Sequence, residues 1–219
     1  MKAPSLVLAY LAAHAAGSWT SNLNYRSPSE HHPGLGISLH KVNKRNTPAK
    51  FSPSQLNFTH GVASGDPYAD SVILWTRISP QYASVDDNST VSGVVPLYNH
   101  GPNLTVSTAP VCVEYKVSET ESFDNVQCKG RAYTSSDIDY TVKVEATNLQ
   151  PFTRYFYQFN VCDSNNTSPV GKTKTAPTVD DHVSDIGLAV YSCSNYPFGF
   201  FNAYGNPARK DSVDYVVHL

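Results

Sequence analysis

Cys193 is the residue whose chemistry and position coincide, in Tyr191-Ser192-Cys193-Ser194-Asn195-Tyr196. It follows Ile186-Gly187-Leu188-Ala189-Val190-Tyr191, a continuous apolar run of the kind that forms a buried parallel strand. Parallel α/β sheets present ligands just beyond the carboxyl ends of their strands. As a nucleophile the thiolate needs an activating base, and spacing alone places neither His182 nor His218 beside it. A metal thiolate and a structural or disulfide-bonded cysteine are the other two readings. His31 and His32 are adjacent, but in a polar stretch without other ligand types they read as solvated side chains.

Two further elements have to position that thiol. Residues 200–210 read as a short helix, with a break or kink expected near Gly205-Asn206 because Pro207 removes a backbone donor. Residues 212–219 read as a second apolar strand. Strand, helix and strand form a βαβ unit, the start of an α/β domain. The sequence stops at Leu219, at the carboxyl end of that second strand, so this domain, residues 186–219, is expected to be truncated.

Upstream, residues 52–177 carry short strands between turn residues. Val72-Ile73-Leu74-Trp75-Thr76-Arg77-Ile78 is rich in β-branched and aromatic types. Val111, Val113, Tyr115 and Val117 alternate with Cys112, Glu114 and Lys116; Val142, Val144 and Ala146 alternate with Thr141, Lys143 and Glu145; and Tyr155, Tyr157, Phe159 and Val161 alternate with Arg154, Phe156, Gln158 and Asn160. Period two with one apolar face marks half-buried antiparallel strands, and several of them make a β-sandwich. The stretch Leu149-Gln150-Pro151-Phe152-Thr153-Arg154-Tyr155 resembles the turn into the sixth strand of fibronectin type III domains. The fold class expected is therefore mainly β: a fibronectin type III-like sandwich followed by the βαβ start.

Cys112 and Cys162 both point away from the core by strand parity. The third and sixth strands of a fibronectin-type sandwich are neighbours there, so a Cys112–Cys162 disulfide is expected, with Cys112–Cys128 the competing pair. Under the first pairing Cys128 is free or modified.

Composition bounds the rest. A net charge of −2 over 219 residues points to no nucleic-acid-binding surface. Residues 1–15 read as a signal peptide: Lys2, an apolar run from Ser5 to Ala13 too short to span a bilayer, and the small-x-small site Ala13-His14-Ala15. Residues 16–51, rich in Ser, Asn, His, Pro and Lys, read as an extended or disordered lead-in. No later run is long enough for a membrane helix. Asn57, Asn88, Asn103, Asn165 and Asn166 each open an N-x-[ST] triplet, which fits a secreted glycoprotein with disulfides.

Two stretches carry a resemblance to a known family. Asn57-Phe58-Thr59-His60-Gly61-Val62-Ala63-Ser64-Gly65-Asp66-Pro67 with Ser71-Val72-Ile73-Leu74-Trp75-Thr76-Arg77 resembles the opening signature of PhoD-type alkaline phosphatases and phosphodiesterases. Leu188 to Tyr196, with Phe200-Phe201-Asn202-Ala203-Tyr204 and Asp214-Tyr215-Val216-Val217-His218-Leu219, resembles the start of that family's metallophosphatase domain. Chains of this look are common in fungi. The resemblance implies a metal-dependent phosphoester hydrolase in which iron and calcium act together on a phosphoester substrate. A cysteine at the place of Cys193 helps hold the iron; the further ligands of the family follow the position of Leu219. This chain alone is therefore expected to bind no complete metal centre and to be inactive. Two alternatives remain: a non-catalytic fibronectin-like interaction module, and a fragment similar to purple acid phosphatases. The βαβ remnant argues against the first. Cysteine rather than aspartate after the opening strand argues against the second.

Overall fold

The computed structural model describes residues 22–23, 31, 51–58, 60–80, 109–135, 138–194 and 200–219. Its strands are β1 (Leu56–Asn57), β2 (Val62–Gly65), β3 (Val72–Arg77), β4 (Ser79–Pro80), β5 (Val111–Ser118), β6 (Val126–Thr134), β7 (Thr141–Ala146), β8 (Arg154–Val161), β9 (Gly171–Lys174), β10 (Leu188–Tyr191) and β11 (Tyr215–His218). Among the described residues one α-helix, α1 (Asn202–Lys210), lies between the last two strands. The signal-peptide expectation and the sequons at Asn88 and Asn103 fall outside the described residues.

Alternation decides which faces meet. Leu74 on β3, Val142 and Val144 on β7, Val113 and Val117 on β5, and Tyr155 and Phe159 on β8 are at most 1% exposed. They belong to one core shared by a three-stranded antiparallel sheet, β2-β3-β7, and a four-stranded one, β6-β5-β8-β9. Each such side chain contributes about 1.5–3 kcal/mol by leaving water. The three-on-four order is that of a fibronectin type III-like sandwich, and the protein is mainly β.

Two glycines make room for the aromatic residues. Gly130 stands opposite Tyr115 across β5 and β6, and Gly171 opposite Tyr157 across β8 and β9. A methyl group at Gly171 would lie 2.3 Å from Tyr157 Cζ, and one at Gly130 2.6 Å from Tyr115 Cε1. Each ring thus covers the gap left by a missing side chain on the neighbouring strand. At the turn into β8, the Gln150 backbone N–H donates to the Tyr155 hydroxyl at 2.8 Å, forming a tyrosine corner.

Part of the lead-in lies against the sandwich. Asn22 is fully buried; its Nδ2 donates to the carbonyls of Tyr133 (2.9 Å) and Thr141 (3.2 Å), while the Lys143 N–H donates to its Oδ1 at 3.2 Å. The Leu23 N–H bonds the Lys143 carbonyl at 2.7 Å. These residues occupy backbone groups along the edge strand β7, which would otherwise be open to pairing with another chain. The expectation that His31 is merely solvated is corrected. Its ring stacks on Tyr68 at 3.8 Å, and Nε2 lies 3.6 Å from both Asp70 and Glu145 carboxylates. A flat aromatic face and two acidic neighbours hold the imidazole, which is half-buried rather than free in solvent. His32 is outside the described residues.

Of the break or kink expected near Gly205-Asn206, the break is also corrected, since α1 runs through both residues and through Pro207. Proline cannot bond the carbonyl four residues back, and that carbonyl, on Ala203, instead accepts from the Tyr191 hydroxyl at 3.1 Å. A third correction concerns β10 and β11, which read as buried strands. Leu188, Val190, Val216 and Val217 are 56%, 59%, 62% and 41% exposed. Among the described residues this sheet has two strands and one helix, too few to cover both faces.

Candidate functional site

β10 and β11 are parallel and in register from Leu188–Tyr215 to Tyr191–His218. Their carboxyl ends lie side by side, and Cys193 follows on the chain just past Tyr191, with an exposed, free thiol. Tyr204, on the α1 face turned to the sheet, spans the two ends. Its hydroxyl is 3.1 Å from His218 Nε2 and 3.5 Å from the Cys193 carbonyl. A phenol has one proton: if it goes to the carbonyl, His218 carries its own on Nε2 and donates to the phenol oxygen. Tyr191 packs under the Tyr204 ring at 4.5 Å. Sequence spacing left His218 unplaced; the structure puts it on the same strand ends as Cys193. His182 is exposed on the segment before β10, at the other end of that strand. Asn195 and Tyr196 lie outside the described residues.

Among the described residues no group of three or more His, Cys, Asp or Glu side chains is placed to hold a metal ion. Cys193 is one soft donor, whereas calcium takes about six to eight oxygen ligands. The described residues alone therefore do not fit the iron and calcium that the family resemblance implies.

What holds this unit to the sandwich was not readable from the sequence. Lys174 Nζ donates to Asp214 Oδ1 at 2.6 Å, with both side chains less than one-fifth exposed. The Gly187 N–H donates to Asp214 Oδ2 at 3.0 Å, and the Asp214 N–H returns to the Gly187 carbonyl at 2.8 Å. The hydrogen bond from Lys174, aided by that from Gly187, holds the Asp214 carboxyl below its ordinary pKa. Lys174 also sits 3.5 Å over the Phe152 ring, a cation–π contact. Beside this pair, Arg154 bonds Asp211 at 2.6 Å, Lys172 Nζ is 3.5 Å from the same carboxylate, and the Tyr215 hydroxyl donates to the Thr175 carbonyl at 2.8 Å. Basic residues of β8 and β9 thus face acidic residues of the α1–β11 connection. They line a cleft of about 600 Å³ between the two units, whose lining also includes Asp66, Pro67 and Tyr204. Lys172 and Lys174 repeat at spacing two on β9, but no local pattern names their acidic partners some forty residues on.

The other residues singled out from sequence lie on the sandwich. Cys112 and Cys162 form a disulfide, Cα–Cα 5.4 Å, beside the Cys162 N–H to Cys112 carbonyl bond at 3.1 Å. Cys128 is free and half-buried, and burial pushes its thiol pKa up. Asn57 is half-buried in β1, Asn165 is exposed, and Asn166 is half-buried with its amide bonded to Leu56 and Ser54 carbonyls. No helix among the described residues is long and apolar enough to cross a membrane.

Comparison with known proteins bears on the sandwich. Residues 43–177 match the family model described as PhoD-like phosphatase, N-terminal domain. Alkaline phosphatase D of Bacillus subtilis is 36% identical over 166 residues, covering 76% of this chain and 25% of that protein. A solved structure of PhoD, 35% identical, superposes with a TM-score of 0.60 over 78% of this chain and 28% of its own. The chain thus spans about a quarter of the length of these relatives. The family match covers the sandwich and ends before β10, so the βαβ unit and Cys193 lie outside it. The chain belongs to the PhoD-like phosphatase family, which it joins through the N-terminal domain.

Proposed function

We propose that this chain is the N-terminal part of a secreted, metal-dependent phosphoester hydrolase of the alkaline phosphatase or phosphodiesterase type. Residues 186–219 begin its metallophosphatase unit, and Cys193 is the one metal donor they supply. The observation that carries this reading is the position of Cys193: it directly follows the first strand of a parallel βαβ unit that is docked on a PhoD-type sandwich. The sandwich acts as a platform, holding the strand ends and the Tyr204–His218 contact in a fixed relation to the cleft. Residues 1–219 alone do not turn over phosphoesters, because one thiolate cannot carry two metals and activate a water. The secretory route is supported by the apolar N-terminal run, by five sequons and by the disulfide.

Two measurements test this. The purified 219-residue chain, given iron and calcium, is assayed on a phosphomonoester and a phosphodiester; measurable turnover would refute inactivity. Cobalt(II) added anaerobically should give a thiolate-to-metal charge-transfer band that Cys193→Ser abolishes. A band surviving that substitution would remove Cys193 from the ligand role.

A further inference from the structure

Asn165-Asn166-Thr167-Ser168 contains two overlapping acceptor triplets, and the fold treats them differently. β8 ends at Val161, the chain turns through Cys162 to Asn165, and it returns with Thr167 bridged to Asn160. Asn165, at the turn, is exposed, and so is Thr167, the hydroxyl residue of its triplet. Both parts of that triplet are accessible.

The second triplet is occupied by the structure. Asn166 Nδ2 donates to the Leu56 carbonyl at 2.8 Å and the Ser54 carbonyl at 3.1 Å, with the Pro53 carbonyl at 3.4 Å. The amide thereby fastens the 3-10 turn Pro53–Gln55 and β1 to the end of β8. Its hydroxyl partner Ser168 is only 3% exposed; Ser168 Oγ donates to the Pro169 carbonyl at 2.7 Å and accepts the Phe159 N–H at 2.9 Å. An amide nitrogen bearing a sugar keeps one proton, so it cannot make two carbonyl bonds, and the sugar would have to occupy the place of the 53–56 segment.

We propose that Asn165 is the N-glycan acceptor of this pair and that Asn166 is a structural amide, left unmodified in the folded protein. The proposal rests on the secretory reading above. In the transfer, Asn165 Nδ2 forms a bond to the anomeric carbon of the first N-acetylglucosamine of a lipid-pyrophosphate-linked oligosaccharide. The bond from that carbon to the pyrophosphate oxygen breaks, the lipid pyrophosphate leaves with the bonding pair, and the amide proton passes to a base of the transferase.

The full chain is expressed in yeast behind a heterologous secretory leader, so that sequon choice is tested whatever its own N-terminus does. The secreted protein is deglycosylated with peptide-N-glycosidase in ¹⁸O-water and sequenced by tandem mass spectrometry. The expected result is heavy aspartate at position 165 and asparagine at 166. Heavy aspartate at 166, or no label at either position, would overturn the proposal. A parallel expression with the chain's own N-terminus tests only the secretory reading: intracellular retention there would sink that reading and leave sequon choice standing. Two variants separate the roles. Asn165→Gln should remove the glycan at this pair without moving the thermal midpoint of deglycosylated protein. Asn166→Gln should keep the glycan on Asn165 and lower that midpoint by about 4 °C or more. An unchanged midpoint would reject the structural role of Asn166.

Discussion

Asp214→Asn should loosen the βαβ unit without touching the sandwich. Asparagine keeps the shape and an oxygen for the Gly187 N–H, but it removes the charge that Lys174 meets at 2.6 Å. Hydrogen bonds to a charged group are worth about 1.5–3 kcal/mol, whereas fully exposed ion pairs give about 0–1 kcal/mol. With side chains 16% and 17% exposed, this pair falls between the two, at about 1–2 kcal/mol after solvent screening. Lys174 keeps its place over Phe152, so no fully unpaired charge is left behind. A loss of that size raises local opening about 5- to 30-fold. Native-state hydrogen exchange reads it directly. The amides of Asp214, Tyr215 and Leu219, bonded to Gly187 and Tyr191 carbonyls, should exchange faster by that factor, while those of Val144 and Phe159 should not. The same contact fixes a pH dependence. The Asp214 carboxyl is held below its ordinary value of about 3.9, so its contribution is complete above that pH and is lost as pH falls toward the depressed value. The variant should lack this acid-side loss. Unchanged exchange in β11, or equal acceleration throughout the sandwich, would refute the assignment of docking to this pair.

Three further outcomes follow from the sandwich. Reducing Cys112–Cys162, which closes a 50-residue separation, should destabilise the domain by about 4 kcal/mol in the chain-entropy model, read as a fall in denaturation midpoint with reductant; a Cys112–Cys128 peptide in non-reducing mapping would contradict the pairing. Gly171→Ala should cost about 1–3 kcal/mol in chemical denaturation, because the added methyl meets a Tyr157 ring that is 2% exposed and has nowhere to go. Burial pushes the Tyr157 hydroxyl pKa up to about 12, above the free value of about 10. Its contribution to stability is therefore whole below about pH 10 and is lost as pH rises toward 12, so tyrosinate absorbance and unfolding should rise together in that range.

Much of the sandwich could be read from period-two alternation, because a half-buried strand writes its inner face into every second residue. β7 and β8 show this plainly, with Val142, Val144 and Ala146 and then Tyr155, Tyr157, Phe159 and Val161 inside. β6 and β9 were harder to read. Gly130 and Gly171 interrupt their patterns, and the aromatic rings that explain those glycines sit on other strands. The helix was visible, but its continuity through Pro207 was not, since the group that satisfies the Ala203 carbonyl comes from β10.

From the residues alone came the mainly β class, the family resemblance and the position of Cys193 after an apolar strand, because each rests on neighbours in the chain. Tertiary structure alone decided which distant groups share a hydrogen bond. It set Asp214 on Lys174, Tyr204 between Cys193 and His218, Asn22 against β7, and Asn166 rather than Asn165 on the Leu56 carbonyl. Local periodicity says which way a side chain points. What it meets there depends on strand register and on how separate units dock, and those are properties of the whole chain.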